Sequence, residues 1–217
     1  MYVVGYYGRL QRGNYNFFGI IHAYSRDTGA RDEAKDITLS EFAGFSGSGL
    51  WSDGVTIWVN HASRFGGSLR AYNLASKARD SAKDFDTLQA AGNIHVTGIW
   101  SDGITMWVAD ISDDKIYAYN FASKARDSAK DFNTLRAAGN SRAYGIWSDG
   151  VTMWVADRAG APKIYAYNLA SKARDSAKDF NTLQAAGNSE VVGIWSDGTT
   201  MWVGDGADRK IYTYNMP

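Results

Sequence analysis

There is no cysteine among the 217 residues. That excludes a disulfide scaffold, a thiolate nucleophile and any Cys-ligated metal. Charge of one sign is not in excess either. Lys+Arg and Asp+Glu stand at 23 each and the pI is near 6.8, so the electrostatic footprint of a general nucleic-acid binder is missing. No apolar run approaches the roughly 18 residues of a membrane-spanning helix, and no membrane insertion is expected. The opening M-Y-V-V-G-Y-Y-G lacks a basic stretch followed by an apolar one, so no signal peptide is visible. There is no phosphate-binding glycine loop. The three histidines, His22, His61 and His95, form neither a metal spacing nor a triad. These absences leave no cofactor, metal or catalytic residue to name. Against them stand 45% apolar and 14% aromatic residues, enough to bury a core in one domain.

What is there repeats. W-S-D-G tetrads begin at Trp51, Trp100, Trp147 and Trp195, at steps of 49, 47 and 48 residues. A fixed period of this length means one structural unit stacked several times. Each unit predicts four strands. In the third copy they are a short one ending in W-S-D-G (98–101), T-M-W-V-A-D (105–110), K-I-Y-A-Y-N (115–120) and, least regular, R-D-S-A-K-D-F (126–132). Aromatic and β-branched residues mark the middle two, and Asp-Gly marks a tight turn between the first and second. The last segment admits a helix as well, because Ala173, Ala177 and Phe180 fall at helical spacing behind Ser171. In the N-terminal copy Thr28-Gly29 reads as a turn and Ile37-Thr38-Leu39 as strand.

Four short antiparallel strands per period of 40–50 residues make a β-propeller blade. The fold class expected is therefore all-β: a single propeller domain over 1–217 of four-stranded antiparallel blades, about four and a half repeats, five-bladed with incomplete first and last blades. The units run approximately 1–48, 49–97, 98–144, 145–192 and 193–217. The chain opens in a second strand and closes in a third, which gives eighteen strands. Surplus edges are sticky, so a homo-oligomer formed through open blade edges is one expectation.

The patterns G-[IL]-W-S-D-G-x-T-x-W-V and K-I-Y-A-Y-N cover nearly the whole chain. They resemble the amplified propeller repeats of many bacterial proteins, of the general NHL and YWTD type. In architecture the chain is also similar to the five-bladed tachylectin-type lectins, whose motifs differ. The resemblance implies a propeller that binds a carbohydrate or a protein, and it favours a secreted or cell-surface setting.

The copies differ unevenly. Residues 75–93 and 122–140 each depart from 170–188 at one of 19 positions. Loops after the second and fourth strands, which share one face of the ring, vary strongly. They run 60–68, 110–114, 157–162 and 205–209, with a long N-terminal one expected at 5–19 that contains Tyr6, Tyr7, Tyr15, Phe17 and Phe18. Residues 94–97, 141–144 and 189–192 vary too. Binding residues sit on loops held by a rigid scaffold, so the ligand-binding candidates are His61, Arg64, His95, Asp110, Arg142, Tyr144, Asp157, Arg158, Glu190 and Asp205. The three aspartates have two readings: caps for loop amides, or polar groups turned into a central site. Trp51, Trp58, Trp100, Trp107, Trp147, Trp154, Trp195 and Trp202 are expected to pack the repeat core. Asp110, Asp113 and Asp114 lack the spacing of a calcium loop. The K-A-R-D-S-A-K-D segments read as solvated outer faces.

The function expected is a non-enzymatic ligand-binding or interaction module using the variable face. The alternatives are a structural scaffold that oligomerises through its terminal blades and, last, a hydrolase or lyase.

Overall fold

The computed structural model describes residues 2–11, 14–39, 49–63, 66–86, 88, 91–183 and 186–217, of which 2–11, 14–18, 62, 63 and 66 are described in backbone only. Fifteen strands form five three-stranded antiparallel sheets, each in sequence order. The first contains β1 (Tyr2–Gln11), β2 (Asn14–Ala23) and β3 (Ile37–Leu39). The second contains β4 (Leu50–Ser52), β5 (Thr56–Ser63) and β6 (Gly66–Asn73). The third contains β7 (Val96–Ser101), β8 (Thr105–Asp110) and β9 (Lys115–Asn120). The fourth contains β10 (Ala143–Ser148), β11 (Thr152–Asp157) and β12 (Lys163–Asn168). The fifth contains β13 (Val191–Ser196), β14 (Thr200–Asp205) and β15 (Lys210–Asn215).

The W-S-D-G-x-T motif builds the turn between the inner two strands. Asp102 accepts the amides of Ile104 and Thr105 at 2.8 and 2.7 Å, while Ser101 Oγ donates to the Thr105 carbonyl at 2.7 Å. Gly103 sits at φ 85°, where a side chain would be strained. Asp53 and Asp149 repeat these bonds. Across the same two strands the tryptophans pair: Trp51 with Trp58, Trp100 with Trp107, Trp147 with Trp154 and Trp195 with Trp202, centroids 5.3, 5.1, 5.3 and 4.9 Å apart. Such aromatic pairs are the natural unit of cross-strand stabilisation.

Blades pack face to face. Trp154, Ala156, Ile164 and Ala166 of the fourth sheet bury against Val191, Met201 and Val203 of the fifth. Equivalent clusters join the second sheet to the third and the third to the fourth, and a smaller one joins the first to the second. The inner strands approach so closely that they need glycine. A Cβ on Gly98 would lie 2.4 Å from the Tyr144 carbonyl oxygen, and one on Gly145 2.8 Å from the Ile194 nitrogen.

The outermost segment is not a regular strand in blades two to four. In blade three it makes two single bridges, Tyr119 with Arg126 and Ile116 with Phe132, around a 3-10 turn at Ser128–Lys130. Neither the full strand nor the helix anticipated for it forms. Among the described residues the outer position is a regular strand in the first blade alone, as β3 at Ile37–Leu39. In blades two to four the lysines and arginines of the segment keep much of their surface in solvent, as the sequence implies, but one aspartate side chain per segment is buried and the cations are tied to protein groups. Asp131 accepts the Ala118 amide at 2.9 Å and pairs with Arg126. Lys130 donates to Thr105 Oγ1 at 2.9 Å. Lys124, at φ 60°, reaches back to the Ala82 carbonyl of the preceding blade. Arg126 donates to the Ala91 carbonyl and lies 4.5 Å over the Tyr117 ring. Blade four repeats the set with Asp179, Lys178, Lys172 and Arg174. This charged belt ties blades two, three and four each to its predecessor.

The fifth blade departs from this pattern. Every residue of β8 and β11 is buried, whereas β14 alternates between buried and half-buried and no residue of β15 is buried. Trp195 is 41% exposed and Ile211 39%. Trp195 is thus an exception to the core role expected of all eight tryptophans, and Trp202 is only half-buried. Among the described residues, one ion pair joins blade five to blade one: Arg26 with Asp197 at 3.7 Å.

Candidate functional site

The variable loops meet on one face. In blades three to five they are organised by the aspartate that ends the second strand. Asp110 accepts the Ile94 and His95 amides through Oδ2 at 2.6 and 3.0 Å and the Ser112 amide through Oδ1 at 2.7 Å. Asp157 takes the Ser141 and Ala159 amides at 3.0 and 2.7 Å. Asp205 takes the amides of Ser189, Glu190, Ala207 and Asp208. All three side chains are buried, so they hold loops and present no charge to a ligand. Electrostatically the copies diverge. Burial raises the pKa of Asp157 despite its amide bonds, whereas at Asp205 burial is outweighed by the Ser189, Asp208 and Ala207 amides and the Ser189 hydroxyl, and the pKa falls.

Around these anchors the side chains emerge. His95 is exposed, with Nδ1 against Ser112 Oγ, and Ile94 beside it is 47% exposed. Arg142 is exposed, and its carbonyl accepts the Arg158 amide at 3.2 Å. Arg158 stacks 4.9 Å over the Tyr144 ring, donates to Tyr144 Oη at 2.8 Å and pairs with Glu190 of blade five. The fold thus brings Arg142, Tyr144, Arg158 and Glu190 into one cluster at the junction of blades four and five.

His61 and Arg64 fall differently. The loop anticipated over 60–68 is a continued ladder, β5 running to Ser63 and β6 starting at Gly66. His61 takes the place of the clamp aspartate, and burial, then Arg70, lowers its pKa. Arg64 lies outside the described residues. The long loop anticipated over 5–19 is likewise strand, β1 and β2 pairing to Gln11 and Asn14. The side chains of Tyr6, Tyr7, Tyr15, Phe17 and Phe18 lie outside the described ones.

Two features of this face escaped the sequence reading. Tyr117 Oη donates to Asp113, and Tyr212 Oη to Asp208 at 2.6 Å and to the Gly187 carbonyl at 3.1 Å. The Asp208 hydrogen bond, with burial, pushes Tyr212 up to about 12. The signal was the Asp-x-x-x-Tyr spacing in both copies. Arg136 pairs with buried Asp114 through Oδ2. Among the described residues no group of three His, Cys, Asp or Glu stands together to hold a metal ion. No helix there is long and apolar enough to cross a membrane.

Five antiparallel sheets packed face to face, with inner strands in glycine-mediated contact, define a β-propeller of about five blades. The likeness to a solved structure agrees. The chain superposes on one described as a nidogen/laminin complex with TM-score 0.60 and 16% identity, over 91% of this chain and 70% of that one. No family model matches the sequence, and no curated protein does either.

Proposed function

We propose that this propeller is a non-enzymatic binding module that takes a protein partner on its variable face. The observation that carries the reading is the Arg142, Tyr144, Arg158 and Glu190 cluster. It is built from residues that differ between copies, on loops whose backbones are pinned by buried aspartates. Arginine and tyrosine are the side chains that dominate protein interfaces, because they combine apolar area with directional hydrogen bonds. The opposite face carries the same W-S-D-G turns in four copies, varying only at the exposed residue that follows them, Val55, Ile104, Val151 or Thr199. The similar solved structure is itself described as a complex of two proteins.

The test pairs panning of a displayed peptide library with a glycan array, using the folded chain and four variants. Binders selected on the wild type should lose at least about tenfold in affinity for His95→Ala, Arg142→Ala and Arg158→Ala, the cost of about 1.4 kcal/mol or more for an interface contact. They should keep full affinity for Ile104→Ser on the opposite face. Binding indifferent to the first three, or lost with the last, would overturn the assignment. A glycan signal that follows the same three variants would move the ligand class to carbohydrate.

A further inference from the structure

In blades three and five the loop after the second strand carries an aspartate two residues before a lysine, and the two pair. Asp113 lies 3.5 Å from Lys115 Nζ and Asp208 lies 3.2 Å from Lys210 Nζ. The same aspartates accept the hydroxyls of Tyr117 and Tyr212. Blade four keeps the lysine and the tyrosine, as Lys163 and Tyr165, but not the acid. Its loop reads R-A-G-A-P, and Ala161 stands two residues before Lys163. Among the described residues Lys163 has no carboxylate partner. The Tyr165 hydroxyl donates to the Gly139 carbonyl at 3.0 Å.

The other cations of blade four stand beside Lys163. Ala143, Asp157 and Lys163 are register partners across β10, β11 and β12, so Arg142, Arg158 and Lys163 leave the sheet along one row. At the usual strand spacing that row is about 10 Å long. Arg142 is exposed and, among the described residues, has no carboxylate partner. Arg158 is held over the Tyr144 ring and pairs with Glu190 of blade five. Asp157, the acid of the row, is buried and taken up by loop amides. Arg142, Arg158 and Lys163 thus face a single surface acid, Glu190, whereas in blades three and five the lysine has its own aspartate. Blade four packs between blades three and five, so the unbalanced charge belongs to an internal loop whose neighbours on both sides are in place.

We propose that the blade-four sector of the variable face receives an acidic segment of a protein partner, one of whose carboxylates takes the place that Asp113 and Asp208 hold in the neighbouring blades. Lys163 Nζ donates to it, and Tyr165 Oη turns its proton from the Gly139 carbonyl to the same group, as charge-assisted bonds favour. Arg142 meets a second acid of the segment beside the Arg158–Glu190 pair. Arg158 is already ordered by Tyr144 and Glu190, which limits the side-chain entropy lost when the segment docks. The proposal rests on the reading of this face as a protein-binding surface and adds the chemistry of the partner.

The probe is a fluorescent peptide, Gly-Glu-Tyr-Asp-Glu-Gly, measured by anisotropy against its amide counterpart, Gly-Gln-Tyr-Asn-Gln-Gly. The acidic peptide should bind saturably and the amide peptide at least about tenfold more weakly. Binding should weaken as ionic strength rises from about 0.01 to 0.1 M, where the screening length falls from about 30 to 10 Å. Lys163→Ala should weaken it at least about threefold, and Lys163→Ala combined with Arg142→Ala at least about tenfold. Ala161→Asp, at an exposed position, restores the acid two residues before the lysine and should weaken binding at least about tenfold with circular dichroism unchanged. Lys115→Ala removes a charge already paired with Asp113 and should change binding by less than about twofold. An acidic peptide ignored at millimolar concentration, an amide peptide that binds equally, full binding by Ala161→Asp, or equal losses in Lys115→Ala and Lys163→Ala would overturn the proposal. A uronic-acid oligosaccharide that binds with this variant pattern where the peptide does not would overturn it in favour of an acidic glycan. Library binders that depend on Arg142 and Arg158 yet carry no excess of Asp and Glu would remove this proposal alone, whereas a library yielding no binder on this face would remove the underlying reading with it.

Discussion

Gly145→Ala and Gly193→Ala change the same repeat position by the same methyl group, and the structure assigns them opposite outcomes. At Gly145 the new Cβ would sit 2.8 Å from the Ile194 nitrogen and 2.9 Å from the Gly193 Cα. Both are backbone atoms of the next inner strand, which cannot swing aside as a side-chain tip would. Relief requires blades four and five to separate, and overpacking of this kind costs about 1–3 kcal/mol. At Gly193 nothing among the described residues lies within 4 Å of the Cβ, and φ is not positive. Alanine there restricts the unfolded chain without a clash and should stabilise by about 0.4–1 kcal/mol. For a chain of this length each kcal/mol moves the Tm by roughly 2–4 °C. Gly145→Ala should therefore melt about 2–12 °C below the wild type and Gly193→Ala slightly above it. Thermal circular dichroism, backed by urea titration, reads the difference. Equal losses in both variants would mean that an inner strand packs against β13 from its far side, and the arrangement of blade five would be wrong. A neutral Gly145→Ala would refute the close approach of inner strands altogether.

Two further outcomes follow from the packing and the clamps. Trp154→Ala, at a residue 3% exposed, should cost about 3–5 kcal/mol. Trp195→Ala, at 41% exposure, should cost well under half of that; equal costs in urea unfolding would contradict the asymmetry between blades four and five. The lowered pKa of Asp205 gives a signed pH dependence. Its ionised form is favoured in the folded state, so its stabilisation is fully present above the unfolded value of about 3.9 and is lost as pH falls through the lower folded value. Asp205→Asn should lower the Tm at pH 7 and flatten its fall below pH 4. A wild-type Tm falling no faster than the variant's over that window would exclude this contribution.

The period, the strands and the turns were legible because their causes are local. Asp102 caps amides two and three residues ahead, and the Asp-Gly pair announces this without a structure. The outer segment was not, because its charges find partners by fold. Lys172 meets a carbonyl 43 residues away and Arg174 one 36 residues away. A local reading sees only lysine and arginine beside aspartate and misses these ties. The exposure of Trp195 was hidden for the same reason: its tetrad is identical to the others, and the difference lies in what stands next to it. The candidate site was half legible. Comparison between copies nominated the residues that the fold places together at the junction of blades four and five. It did not show that Arg158 of one blade and Glu190 of the next would meet, nor that His61 belongs to a strand.

The two kinds of loop on this face have one physical origin. A chain leaving the second strand must still satisfy its amides. Where aspartate ends that strand, at Asp110, Asp157 and Asp205, two carboxylate oxygens collect amides from both loops of the blade. The loop stays short, and its other side chains are free to differ because none is needed to hold its shape. Where the position carries another residue, Gly5 or His61, no such anchor exists, and the chain satisfies its amides by continuing the ladder. β1 and β2 run ten residues each and β5 and β6 eight, against six in blades three to five. A single side chain per blade therefore decides whether that sector of the face is a pinned loop or a projecting hairpin. In blades three to five the loop conformations rest on one buried residue per blade, which leaves the remaining side chains of this face free to vary.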